Sequence, residues 1–162
     1  MEMFRRIVCP TDFSDASFGA LQAAQDLARH FAGELIVVHV VEPIPPVPVD
    51  TDGSIRFDVF RYEDELMSAA EKLLLETLKQ RLSGEVTARP LVAGGVPWEE
   101  IVRIATEEKA DLLVIATHGR SGWKHLLFGS VTERVIRVAP CPVLVIRSPK
   151  QVDPTTERGP QD

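Results

Sequence analysis

The stretch LLVIATHGRSGWKHLLFGSVTERVIRVAPCPVLVIR, residues 112–147, decides the fold. It begins with an apolar strand, passes through a glycine-containing loop into a helix that opens near Gly129, and ends in a second apolar strand at residues 143–146. Such a loop places backbone N–H groups and a helix N-terminus at the carboxyl edge of a parallel sheet, where α/β proteins bind phosphates and nucleotides. The stretch therefore predicts an α/β protein with an anion-binding loop.

The sequence before this stretch repeats the alternation of apolar strands and helical patterns. Ser14 is the predicted N-cap of the first helix and Gly33 its end. Pro90 lies inside the third strand pattern, which favours a sheet edge. Strands are predicted at residues 6–9, 35–41 and 87–92, and further helices at about 59–82 and 98–108. On the helix at 59–82, one face is predicted to carry Leu66, Ala70, Leu73 and Leu78.

The order β-α-β-α-β-α-β-α-β predicts a Rossmann-like α/β fold, with an open, mostly parallel five-stranded sheet and helices on both faces. Right-handed crossovers and an edge third strand favour the strand order 3-2-1-4-5. The loops at residues 10–13 and 116–129 would then meet where the strand order reverses. We expect one domain over residues 1–147, followed by a polar, mobile tail at 148–162.

Composition limits the classes of partner. The chain has 162 residues and a net charge of −6, which disfavours broad electrostatic binding to nucleic acid or anionic membrane. No apolar run reaches transmembrane length, and the N-terminus lacks a signal-peptide layout, so we expect a cytoplasmic protein. Cys9 and Cys141 have no metal-ligand or CxxC spacing and are predicted to be buried and reduced.

Two motifs resemble the universal stress protein family. The segment IVCPTDFS, residues 7–14, is similar to the family's first strand and loop. The family's nucleotide motif is a glycine, two residues, a glycine, nine residues, a glycine, and a serine or threonine. Gly119, Gly129 and Ser130 fit its last three fixed positions with the nine-residue spacing, whereas Ala116 replaces the first glycine. The resemblance covers about residues 5–147, including the lead PCPVLV at 140–145 into the last strand.

The resemblance implies a stress-response protein that binds ATP, with Mg²⁺ bridging the phosphates. Asp12 would lie near the ribose, Val40 would contact adenine, and Gly119 would let the backbone approach the phosphates. His118 and Arg120 are basic residues that could steady phosphates. The candidate nucleotide-binding residues are therefore Pro10, Thr11, Asp12, Val40, Ile115, Ala116, His118, Gly119, Arg120, Gly129, Ser130, Val131 and Thr132.

The resemblance also implies a homodimer. The last strand, Val143–Ile146, would otherwise be an exposed apolar edge of the sheet. Antiparallel pairing of this strand across a two-fold axis would bury it.

Several of these residues have structural alternatives. Ser130 begins the pattern SVTE, a capping box in which its hydroxyl would satisfy helix N–H groups. Asp12 also fits a turn or a helix cap. Arg120 could simply be solvated, and His39 is expected to pack at the end of its strand.

Alanine at the first motif glycine raises a separate question about the backbone. If Ala116 had positive φ, alanine would cost about 1 kcal/mol there. Its methyl group would also approach the ribose or the phosphates.

Catalytic templates fit the sequence poorly. It contains no dinucleotide fingerprint, P-loop or nucleophile elbow, and the predicted pocket offers one carboxylate, Asp12, without a second for acid/base work or metal pairing. Three hypotheses follow. They are a nucleotide-binding regulatory module that acts through conformation or an unidentified protein partner, a nucleotide-free dimeric interaction protein of the same fold, and a slow ATP hydrolase.

Overall fold

The computed structural model describes residues 4–44, 59–117 and 128–147. Its elements are β1 (Arg6–Pro10), α1 (Asp15–Phe31), β2 (Glu34–Val41), α2 (Val59–Arg81), β3 (Ala88–Gly94), α3 (Pro97–Glu107), β4 (Leu112–Ala116), α4 (Ser130–Val138) and β5 (Val143–Ile146). The five strands form one parallel sheet in the order β3-β2-β1-β4-β5. The predicted fold class and strand order are therefore confirmed, whereas the predicted tail at 148–162 lies outside the described residues.

The central strands are buried on both faces, as their continuous apolar runs predict. Ile7 and Cys9 of β1 face a cluster that includes Leu21 of α1 and Leu74 of α2. Val8, between them, points to the opposite face of the sheet and packs with Ile104 and Val38. This alternation places α1 and α2 on one face of the sheet and α3 and α4 on the other.

The end of α1 differs in detail from the prediction. Ala32, and not Gly33, adopts the left-handed conformation that ends the helix, with φ 52°. Gly33 is needed for a different reason, since a Cβ there would lie 2.6 Å from the backbone oxygen of Phe4. The glycine therefore permits the segments that lead into β1 and β2 to pass close to each other.

The predicted buried face of α2 is wrong at one position. Leu73 is 46% exposed, while its neighbour Leu74 is fully buried. A helix turns by about 100° per residue, so adjacent leucines lie on different faces, and the phase here follows Ala70, Leu74 and Leu78.

The prediction of two buried cysteines holds for one of them. Cys9 is buried, whereas Cys141 is of intermediate exposure, and both are free thiols. No helix within the described ranges is both long and apolar enough to cross a membrane.

Candidate functional site

A cavity of about 520 Å³ lies at the carboxyl edge of the sheet, between the neighbouring strands β1 and β4, where the strand order reverses. Its lining includes every predicted nucleotide-binding residue that the structure describes: Pro10, Thr11, Asp12, Val40, Ile115, Ala116, Gly129, Ser130, Val131 and Thr132. The other three, His118, Gly119 and Arg120, lie outside the described residues. The described residues of the loop at 10–13 and the two ends of the segment at 116–129 thus border one cavity.

The loop between β1 and α1 is held by a chain of side-chain hydrogen bonds. Asp12 Oδ1 accepts from the backbone N–H of Ser14 at 3.0 Å and from the Ser14 hydroxyl. The Ser14 oxygen in turn accepts from the N–H of Ser17 at 3.2 Å, which makes Ser14 the N-cap of α1 as predicted. Asp12 therefore shapes the turn and lines the cavity at the same time.

Thr11 is the buried centre of this loop. Its hydroxyl lies 2.9 Å from the hydroxyl of Ser17 and accepts from the N–H of Phe13 at 3.1 Å. The hydroxyl of Ser17 donates to the carbonyl of Ser14 at 2.8 Å, so the Thr11 hydroxyl must be the donor to Ser17. Each hydroxyl has one defined partner to donate to, and this fixes the loop before any ligand arrives.

Four residues outside the predicted site also line the cavity. His39 and Glu42 come from the end of β2, and Pro97 and Ile101 come from the start of α3. Pro97 at the first helical position was a visible signal for a helix start, but only the folded sheet brings that start to the cavity. Glu42 is a second carboxylate, so the prediction that the pocket holds a single one is wrong.

His39 packs as predicted, and it also lines the cavity. Its Nδ1 lies 2.8 Å from the carbonyl oxygen of Thr11. Its ring lies 4.4 Å from the ring of Phe13, centroid to centroid. The histidine thus links the end of β2 to the loop that carries Asp12.

Ala116, at the first motif glycine, sits in ordinary strand conformation. It ends β4 in register with Ile146 of β5 and is absent from the described non-glycine residues with positive φ. It is 6% exposed and belongs to the core cluster of the α1 face together with Leu112 and Val114. Ile115, between them, turns to the opposite face. The methyl group of Ala116 therefore fills core space under α1 and imposes no backbone strain.

Helix α4 begins one residue earlier than the capping-box prediction requires. Gly129 is the N-cap: its N–H donates to Thr117 O at 2.7 Å, and its carbonyl accepts from Glu133 N–H at 2.9 Å. Ser130 is the first helical residue, and no side-chain hydrogen bond within the described residues caps this helix. Glu133 instead accepts from Arg137 at 2.8 Å. The predicted capping role of Ser130 is therefore wrong, because the backbone of Gly129 takes the capping position.

The start of α4 leaves backbone N–H donors beside the cavity. The first intrahelical bond is donated by Glu133, so the N–H groups of Ser130, Val131 and Thr132 precede it and have no intrahelical acceptor. The Thr132 hydroxyl donates to Ala116 O at 2.8 Å, which ties the helix start to the end of β4. Unpaired N–H groups at the positive end of a helix dipole form a site for an anion.

The two cysteines do not supply a nucleophile. Complete burial raises the pKa of the Cys9 thiol to about 12, so it stays protonated at neutral pH. Burial also raises the pKa of Cys141, and the carboxylate of Asp111 raises it further. Within the part of the chain that the structure describes, no group of three or more metal-ligating side chains is gathered.

Comparison with known proteins agrees with the fold and the motifs. The sequence model of the universal stress protein family matches residues 3–147. Universal stress protein MJ0531 of Methanocaldococcus jannaschii is 36% identical over 149 residues, covering 92% of this chain and 85% of that protein. The solved structure of MJ0577, from the same organism, superposes with a TM-score of 0.74 at 30% identity over 91% of this chain and 99% of that one.

A second solved structure is that of the universal stress protein from Archaeoglobus fulgidus in complex with dAMP. It matches with a TM-score of 0.52 at 25% identity, over 90% of this chain and 98% of that chain. The family match extends over the whole described fold, including β1, with its following loop, and β5. The chain belongs to the universal stress protein family.

Proposed function

We propose that this protein binds an adenine nucleotide, ATP with Mg²⁺, in the cavity at the carboxyl edge of the sheet, and acts in the cytoplasm as a stress-response regulator. Binding would stabilise one conformation or one partner-binding surface, and this is how a nucleotide signals without being consumed. The observation that carries the proposal is the convergence of the Asp12 loop, the end of β2 and the start of α4 on one cavity.

The walls of the cavity suit the chemically different parts of a nucleotide. Val40, Ile101 and Ile115 form an apolar region for a planar base. Asp12 and the polar loop around it would meet ribose hydroxyls. The N–H groups at the start of α4 would meet the phosphates. A single ligand with an apolar ring, hydroxyls and an anionic end fits this order.

Magnesium would be held chiefly by the ligand. The described part of the lining carries the carboxylates of Asp12 and Glu42 and no cluster of three metal ligands. Mg²⁺ keeps several waters and binds through substrate phosphates with one or two carboxylates, so these residues fit that mode. A phosphate chain arriving with Mg²⁺ would also be repelled less by the two carboxylates.

The relative from Archaeoglobus fulgidus supports the class of ligand, since it was solved with dAMP. Ala116 does not oppose it. Its methyl group belongs to the core under α1, and its backbone is not in the left-handed region. The replacement of the first motif glycine therefore gives no reason to prefer the nucleotide-free hypothesis.

The test is thermal unfolding of nucleotide-stripped protein with and without Mg·ATP, with Mg·GTP as the matched control. At about 100 times Kd the ligand adds roughly 2.7 kcal/mol to the free energy of unfolding, which raises Tm by about 5–10 °C. Asp12→Asn should reduce this shift, since it removes the charge beside the ribose. Equal Tm values with and without Mg·ATP at millimolar concentration would refute the proposal.

We also propose that two copies pair through β5. Leu113 N–H donates to Pro142 O and Thr117 N–H to Ile146 O, so these carbonyls face β4. By alternation, the backbone groups of Val143 and Val145 face outward at the sheet edge. Leu144 is 37% exposed, and Ile136 and Val138 on the neighbouring helix are 40% and 51% exposed. An antiparallel partner strand would satisfy the edge and cover this apolar surface.

A further inference from the structure

The backbone groups of β2 alternate in direction between its two neighbours. Glu34 N–H donates to Arg5 O at 2.7 Å. Val38 O accepts from Thr11 N–H at 2.8 Å. The even-numbered residues of β2 thus turn their backbone groups toward β1. Val40 is the next residue of this series, so its N–H and C=O face the space beyond the end of β1, where the cavity lies.

The carbonyl of Thr11, which would otherwise pair with Val40, is bonded to a side chain. If the parallel ladder continued, Thr11 O would accept from Val40 N–H. It accepts instead from Nδ1 of His39 at 2.8 Å. Because a carbonyl oxygen can only accept, the imidazole must carry a proton on Nδ1. Among the described residues, no backbone carbonyl outside the strands accepts from Val40 in its place.

The carbonyl of Val40 also lacks the partner that a continued ladder would give it. In a continued ladder the N–H of Phe13 would donate to it, but this N–H donates to the hydroxyl of Thr11 at 3.1 Å. Phe13 has φ 63°, so the chain leaves the strand direction here. Its ring packs on the imidazole of His39 at 4.4 Å. The two contacts of His39 hold the loop in this diverging course.

We propose that His39 is a positioning residue for base recognition: through its bond to the Thr11 carbonyl and its packing on Phe13, it holds the loop on its diverging course and so keeps the N–H of Val40 free for a ring nitrogen of the bound base. This inference rests on the proposed function and names what selects the base. Val40 then presents an adjacent donor and acceptor. Adenine offers the complementary pair, the acceptor N1 and the donor 6-amino group. Hypoxanthine reverses both with N1–H and a 6-oxo group, and is disfavoured.

Amide hydrogen exchange tests the first half of the inference without any ligand. In the wild-type chain, Val40 N–H should exchange at least about 100-fold faster than Val38 N–H, which lies inside the ladder. His39→Leu keeps an apolar side chain against Phe13 and removes the donor. It should let Thr11 O pair with Val40 and slow this exchange by about tenfold or more. A Val40 amide as protected as that of Val38 in the nucleotide-free wild type would overturn the inference.

Binding of AMP and IMP tests the second half. The wild type should prefer AMP by about tenfold, and His39→Leu should reduce this preference to within about threefold. His39→Asn is the matched control, since its amide keeps an N–H donor near the position of Nδ1 and should retain the preference. A residue with a merely structural role would lower Tm in both variants and leave the AMP-to-IMP ratio unchanged, which would overturn the proposal.

The outcomes also separate this inference from the proposed function. If no nucleotide binds the wild type, the proposed function fails, while the exchange rate of Val40 still decides whether His39 frees that group. If nucleotide binds with equal affinity for AMP and IMP, the proposed function stands and the role of His39 is refuted. If His39→Leu does not fold, the wild-type exchange rate still decides, because a Val40 amide as protected as that of Val38 overturns the inference.

Discussion

Ala116→Gly restores the first glycine of the family motif, and the structure predicts that this weakens the fold without improving nucleotide binding. Ala116 is 6% exposed and packs with Leu112 and Val114 under α1. Removing one buried methyl costs about 0.8 kcal/mol, and glycine in a strand costs about 0.5–1 kcal/mol more. The free energy of unfolding should fall by about 1.5 kcal/mol, which lowers Tm by about 3–6 °C.

The assay has two parts, thermal unfolding of the nucleotide-free protein and Kd for Mg·ATP by calorimetry. Ala93→Gly is the matched control, since Ala93 is a buried strand residue at 7% exposed and is not part of the cavity lining. Both variants should lose similar stability and keep Kd within about twofold of the wild type, because Ala116, although it lines the cavity, packs its methyl group in the core cluster of the α1 face. Binding that becomes tenfold tighter in Ala116→Gly alone would refute the reasoning, because it would place that methyl group in the ligand's space.

Three further predictions concern other parts of the molecule. Ser130→Pro removes one N–H donor at the start of α4 and keeps the helix, because proline suits the first helical position and Gly129 already has φ −70° and ψ 160°. Kd for Mg·ATP should rise about 3–10-fold at unchanged Tm, and an unchanged Kd would show that this N–H does not contact the ligand. Burial raises the pKa of Cys9 from 9.0 to about 12, so its contribution to stability is complete below pH 9 and is lost as the pH rises to about 12. The difference in free energy of unfolding between wild type and Cys9→Ala should therefore shrink over this range by up to about 1.4 kcal/mol per pH unit. A difference independent of pH would contradict the burial. Leu144→Lys on the β5 edge should convert a dimer into a monomer in size-exclusion chromatography with light scattering, and a wild type that is monomeric at micromolar concentration would contradict the pairing.

The fold could be predicted because its signals are local. The alternation of apolar runs with helical patterns determines the sheet class, and Pro90 marks an edge strand, which β3 is. The phase of α2 could not be read in the same way. Leu73 and Leu74 are equally apolar, and only packing against the sheet decides that Leu74 is buried.

The candidate site was partly predictable because both loops follow strands whose carboxyl ends must meet at one edge. The helix start near Gly129 is confirmed, whereas the capping-box alternative, SVTE with Ser130 as the N-cap, places the start of α4 one residue late because Gly129 takes the capping position. The bond from His39 to Thr11 has no sequence signature. It forms because β1 diverges from β2 after Pro10, and that divergence exists only in three dimensions.

The most direct test of the account is an ¹⁵N-correlated NMR titration of the nucleotide-free protein with Mg·ATP. We expect saturable shifts concentrated at Val40, at the Thr11–Asp12 loop and at the amides of residues 129–132, with small changes at the opposite edge of the sheet. Saturable shifts centred elsewhere, or an unchanged spectrum at millimolar Mg·ATP, would contradict it.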